Sequence, residues 1–81
     1  MEQPLRQPGK RVVGTKQVFR TVKDGKAACV YLGKDADDFI YRQVQSLCEE
    51  MQVPLHLVDT MQELGKQCLV GVKTATAAVL K

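Results

Sequence analysis

Gly14-Thr15-Lys16-Gln17-Val18-Phe19-Arg20-Thr21-Val22-Lys23-Asp24-Gly25 reads as a turn, one short helix and a stop. Thr15 is placed to cap the helix and Gly25 to end it. At about 100° per residue, Lys16, Arg20 and Lys23 fall on one face and Val18 and Val22 on the opposite one. One side can therefore pack on a sheet while the other presents three cations to solvent.

On either side of this segment, strands alternate with helices. Arg11-Val12-Val13 is a candidate short edge strand, and Ala28-Cys29-Val30-Tyr31-Leu32 is an apolar run of strand length. Asp35, Asp37 and Asp38 crowd the entrance to a second helix, which runs to about Gln52 and is ended by Pro54. Its apolar residues Ile40, Val44, Leu47, Cys48 and Met51 keep the spacing of one buried face. Leu55-His56-Leu57-Val58 is a further strand. Thr60-Met61-Gln62-Glu63 then has the form of a capping box, opening a short helix that buries Met61, Leu64 and Cys68. The last run, Ala75-Thr76-Ala77-Ala78-Val79-Leu80, has the small side chains of a central strand with helices close on both faces. This order predicts an α/β sandwich around a small sheet.

With 81 residues the chain supports one core. Residues 1–9, polar and containing two prolines, are expected to be a flexible tail ahead of a single domain spanning 10–81. No stretch approaches the roughly 20 apolar residues of a membrane span, and the N-terminus lacks the apolar run of a secretory signal. A cytoplasmic monomer with no membrane partner is expected. Charge is unevenly distributed: residues up to Lys34 carry a net +6, and those from Asp35 onward carry −3. Such segregation suits a polyanion partner.

Nothing in the chain assembles a reaction. Cys29, Cys48 and Cys68 are far apart, no C-x-x-C pair occurs, and His56 is the sole histidine, so no zinc-ligand spacing exists. Free, largely buried thiols are expected. His56 lies in an apolar strand without a nucleophile beside it in sequence. The three aspartates read as helix capping rather than as a magnesium cluster. The expectation is a non-enzyme that needs neither cofactor nor metal.

Two features remain. Gly14 allows a close backbone approach, the first-turn N–H groups favour phosphate, and Lys16, Gln17 and Arg20 can hydrogen-bond base edges. An ordinary solvated amphipathic helix would look the same. The loop Leu69-Val70-Gly71-Val72-Lys73 is unusually apolar. It could offer a platform to an unstacked base, or Leu69 and Val72 could tuck beneath the core.

Taken together, these residues resemble the kink-turn RNA-binding family typified by archaeal and eukaryotic large-subunit ribosomal protein seven. The resemblance covers roughly Lys10 to Leu80 and is carried first by Gly14-Thr15-Lys16-Gln17-Val18-Phe19-Arg20. It continues through the strand at Cys29–Leu32, Lys34-Asp35-Ala36-Asp37, Leu47-Cys48-Glu49-Glu50, Val53-Pro54, Gln62-Glu63-Leu64-Gly65-Lys66 and the Ala-rich end. It implies a three-layer α/β/α sandwich with a small mixed sheet of about four strands. It also implies binding to a kink-turn, an RNA duplex bent at a bulge beside tandem sheared G·A pairs, in ribosomal RNA or a messenger leader, with no DNA partner. On that basis Gly14 and Thr15 approach the RNA, Lys16 and Gln17 face the G·A edges, and Arg20 supplies a cation. Lys66 contacts phosphate, and Leu69, Val70, Gly71, Val72 and Lys73 pack on the flipped-out bulge nucleotide. The family's archaeal and eukaryotic members have Asn-Glu where this chain has Lys16-Gln17, and Lys in place of Arg20. Bacterial relatives resemble this chain there, which places it on a bacterial, ribosomal-protein-like branch. The alternative is a protein-interaction or structural domain of the same fold.

Overall fold

The computed structural model describes residues 4–81. Strand β1 (Arg11–Val13) leads into helix α1 (Thr15–Lys23), strand β2 (Ala27–Gly33) and helix α2 (Asp38–Met51). Strand β3 (Leu55–Val58), helix α3 (Met61–Gln67) and strand β4 (Thr76–Leu80) follow. The sheet is mixed, in the order β1-β4-β2-β3. β4 runs antiparallel to both β1 and β2, whereas β3 is parallel to β2. The small residues Ala77 and Ala78 thus occupy an interior strand and are fully buried.

Strand alternation divides the interior into two cores. Val30, Leu32 and Ala78 face α1 and α2, where they meet Val18, Val22, Val44 and Cys48. Ala77 faces the other way, onto Leu64, Cys68 and Val58, with Tyr31 and Val79 packed beside it. Helices therefore cover both faces, giving the three-layer α/β/α sandwich with a four-stranded sheet. Among the described residues, no helix is long and apolar enough to cross a membrane.

Several local expectations change. The N-cap of α1 is Gly14, not Thr15, which is already the first helical residue. The Gly14 carbonyl accepts the first helical bond, from Val18 N at 3.0 Å. Asp35 and Asp37 serve different helices, and Asp38 is the first residue of α2. Asp37 Oδ1 accepts from Phe39 N at 2.9 Å and caps α2, whereas Asp35 Oδ1 accepts from Met61 N at 2.7 Å, at the start of α3. The Thr60 capping contact is present, with Glu63 N donating to Oγ1 at 3.0 Å. α2 ends one residue early, because Gln52 adopts a left-handed conformation (φ 56°), and Met51 is exposed at its end.

The tail differs most. Residues 1–3 lie outside the described residues. From Pro4 on, the expected flexible segment instead forms two short 3-10 turns, Pro4–Arg6 and Pro8–Lys10. Leu5 is only 3% exposed, packed with Val58, Leu64, Cys68 and Ala77. One apolar side chain amid polar neighbours gives no periodic signal, yet it closes the second core.

Candidate nucleic-acid interface

The turn before α1 and the exit of the 69–73 loop meet at one end of the sheet. Gly14 N donates to Thr76 O at 3.1 Å, which ties the turn before α1 to the start of β4. Thr74 N donates to Met61 O at 3.1 Å, which ties the preceding loop to the start of α3. The 69–73 loop runs directly into this junction, so the α1 turn and the apolar loop flank the same two or three residues of chain.

Gly14 has φ 102° and ψ 147°, a region that is essentially glycine's alone. No side chain caps the helix, and the first-turn N–H groups have no intrahelical partner. A Cβ at Gly14 would meet nothing within 4 Å. Gly14→Ala therefore tests backbone strain alone, and we expect it to cost about 1–3 kcal/mol in thermal or denaturant unfolding. Beyond the turn, Lys16, Gln17 and Arg20 are exposed, while Val18 and Val22 are each only 1% exposed. Lys16, Arg20 and Lys23 line a shallow groove of about 370 Å³ with Phe19 and Asp24, along the outer face of α1. Gln17 does not line it.

The expectation that Leu69 and Val72 tuck beneath the core is not met: they are 63% and 67% exposed. Val70 turns inward against the second core. Leu69 has φ 59° and Gly71 φ 72°. For leucine the left-handed region is strained, and here it directs an apolar side chain into solvent. Lys66 and Lys73 line a cleft of about 310 Å³ with Gln62, Gly71 and Val72.

Two residues that shape this loop were not among those expected. Gly65 is buried in α3 where a Cβ would fall on the Val72 carbonyl oxygen. Thr74, 4% exposed, donates its hydroxyl to the same oxygen at 3.4 Å. A lone glycine inside a helical pattern was the available signal for the first; the second left none.

Elsewhere among the described residues, no group of three or more His, Cys, Asp or Glu side chains could hold a metal ion. Burial pushes the Cys48 thiol above its ordinary range. Burial also raises Cys68, against the opposing charge of Arg11, and raises Cys29 against hydrogen bonds with Tyr31 and the Val79 backbone. Cys29 is half-buried and the other two buried. His56 is exposed on β3, its ring 5.2 Å from that of Tyr31.

Comparison with known proteins is consistent with this architecture. The chain is 44% identical over 71 residues to an RNA-binding protein of Caldanaerobacter subterraneus, covering 88% of this chain and 87% of that one. It is 45% identical over 75 residues to an RNA-binding protein of Geobacillus thermodenitrificans, covering 93% and 92%. Among solved structures, the 15.5kD RNA binding protein of Giardia lamblia superposes with a TM-score of 0.86 at 28% identity, over 95% of this chain and 65% of that one. A Bacillus halodurans protein of unknown function shares the fold, with a TM-score of 0.85 at 22% identity, over 95% of this chain and 77% of that one. The model of the ribosomal protein L7Ae/L30e/S12e/Gadd45 family matches residues 2–81, and the chain belongs to that family.

Proposed function

We propose that this protein binds RNA, and that its cognate element is a kink-turn whose bent form it stabilises. The observation that carries the reading is two chemically different exposed surfaces whose chain segments meet where the turn before α1 joins the start of β4. One is the exposed cationic face of α1; the other is an exposed apolar loop. A straight duplex offers phosphate and groove edges, but it has no unstacked base for Leu69 and Val72. A kinked duplex with a bulge offers both. The RNA-binding relatives from two bacteria support the coarser part of this reading. Binding stabilises the bend because a ligand shifts an equilibrium toward the state it prefers.

The test is a titration of two labelled RNAs of equal length, a kink-turn with tandem G·A pairs and a straight duplex, across a range of salt. We expect tighter binding to the kink-turn at every salt concentration, with both affinities falling as salt rises. Equal affinity for the two would reduce the interaction to charge attraction and defeat the proposal.

The loop carries its own prediction. Leu69→Gly removes an exposed apolar side chain and relieves a left-handed conformation that costs leucine about 1–2 kcal/mol. The extra chain entropy of glycine offsets about 0.5–1 kcal/mol of that gain. We expect unfolding stability to hold or rise while kink-turn affinity falls. A parallel loss of both would mean that Leu69 supports the fold rather than the RNA.

A further inference from the structure

Arg11 opens β1 and was not among the expected binding residues. Its Nε donates to the Leu5 carbonyl at 3.1 Å, and a terminal nitrogen donates to the Cys68 carbonyl at 3.0 Å. One guanidinium thus bridges the N-terminal turn and the end of α3, 57 residues away. Cys68 is the C-cap of α3, and the next residue is Leu69, with φ 59°. Leu5 completes the cluster of Leu64, Cys68, Val58 and Ala77, and Val70 packs against it.

The root of the exposed loop is therefore held from several sides. Leu69 N donates to Lys66 O at 3.1 Å and Val70 N to Gly65 O at 3.2 Å, while Arg11 occupies the Cys68 carbonyl. A left-handed leucine persists only where its surroundings over-determine it. We infer that Arg11, together with Leu5, is a positioning element for the RNA-facing loop, holding the end of α3 so that Leu69 and Val72 stay exposed toward the bulge; this rests on the kink-turn reading above. The planar fork matters, because it serves two carbonyls at once from a fixed geometry. A lysine ammonium has no such fork.

The test has an RNA-free arm and an RNA arm. In the first, amide hydrogen exchange is followed at Val70 and Thr74, whose N–H groups bond Gly65 and Met61, and at Val18 and Val30 as controls in α1 and the sheet. Arg11→Ala is expected to speed exchange at the loop amides about tenfold over the controls, with Arg11→Lys between it and wild type. β1 pairs with β4 through its backbone at Arg11 and Val79, so the variant keeps the strand. Leu5→Ala is a second variant that leaves the guanidinium in place, and the same loop-specific acceleration is expected.

In the second arm, affinity is measured for a kink-turn and for the same RNA with an abasic bulge nucleotide. Arg11→Ala is expected to lose about tenfold on the first and little on the second, because only the first has a base for the loop to hold. Unchanged loop exchange would overturn the inference whatever the RNA result. Faster exchange with equal affinity loss on both RNAs would also overturn it, leaving Arg11 a merely structural residue. If wild-type protein shows no kink-turn preference, the functional reading fails by itself, and the inferred positioning for RNA fails with it even if exchange shows that Arg11 holds the loop.

Discussion

Replacing Lys16 and Arg20 together with alanine is expected to weaken kink-turn binding by roughly a hundredfold while leaving the melting temperature within a few degrees of wild type. Both side chains are exposed, one turn apart on α1, and both line its outer groove. An arginine on a guanine edge contributes about 1–3 kcal/mol of binding, and a lysine on phosphate changes the salt dependence by about one unit of slope. The helix is held instead by Val18 and Val22, buried on the opposite face, so removing the cations takes nothing from the core. Alanine is also the stronger helix former. The measurement is a salt series with both variant and wild type. A variant that binds as tightly as wild type sinks the proposed surface. One that loses affinity equally for kink-turn and duplex leaves only a phosphate contact.

Gly65→Ala is expected to lower stability by about 2–3 kcal/mol, although helix propensity by itself favours alanine over glycine by about 1 kcal/mol. In a domain of this size that is a fall in melting temperature of about 10–20 °C. The sign is set by one contact. A methyl group at Gly65 would occupy the position of the Val72 carbonyl oxygen, with the Val72 carbonyl carbon 3.0 Å away. The loop cannot swing aside freely, because Val70 N is bonded to Gly65 O and Thr74 N to Met61 O on either side of it. Overpacking of this kind typically costs about 1–3 kcal/mol, and more where backbone must move. A loss of kink-turn affinity measured below the melting transition is expected as well, because Val72 is displaced. An unchanged or raised melting temperature would show that the loop yields easily, and the rigid presentation of Leu69 and Val72 would then have to be abandoned.

The two predictions differ in how legible their residues were. Lys16 and Arg20 stood out because a helix repeats about every 3.6 residues, so a cationic face and a Val18/Val22 face can be read from spacing alone. Gly65 was visible only as a glycine within a helical pattern. Its partner, Val72, lies in a loop whose path no local rule dictates. The aspartates show the same boundary. Asp37 caps α2 as expected, yet Asp35 accepts a bond from the start of α3 because β2 and β3 run side by side and bring their following turns together.

The order of elements, the α/β class and the basic face of α1 are legible in the chain alone. Caps, stops and apolar periods act within a few residues, where the backbone's own geometry makes them decisive. Long-range packing set the rest: Leu5 fills the second core, Leu69 and Val72 stand out in solvent while Val70 turns in, and Arg11 ties the Pro4–Arg6 turn to the end of α3. These arrangements depend on segments brought together from far apart in the chain, as Arg11 and Cys68 are from 57 positions apart. They follow from which carbonyls and which apolar surfaces are still unsatisfied once the sheet is assembled, a balance that no local pattern in the chain expresses.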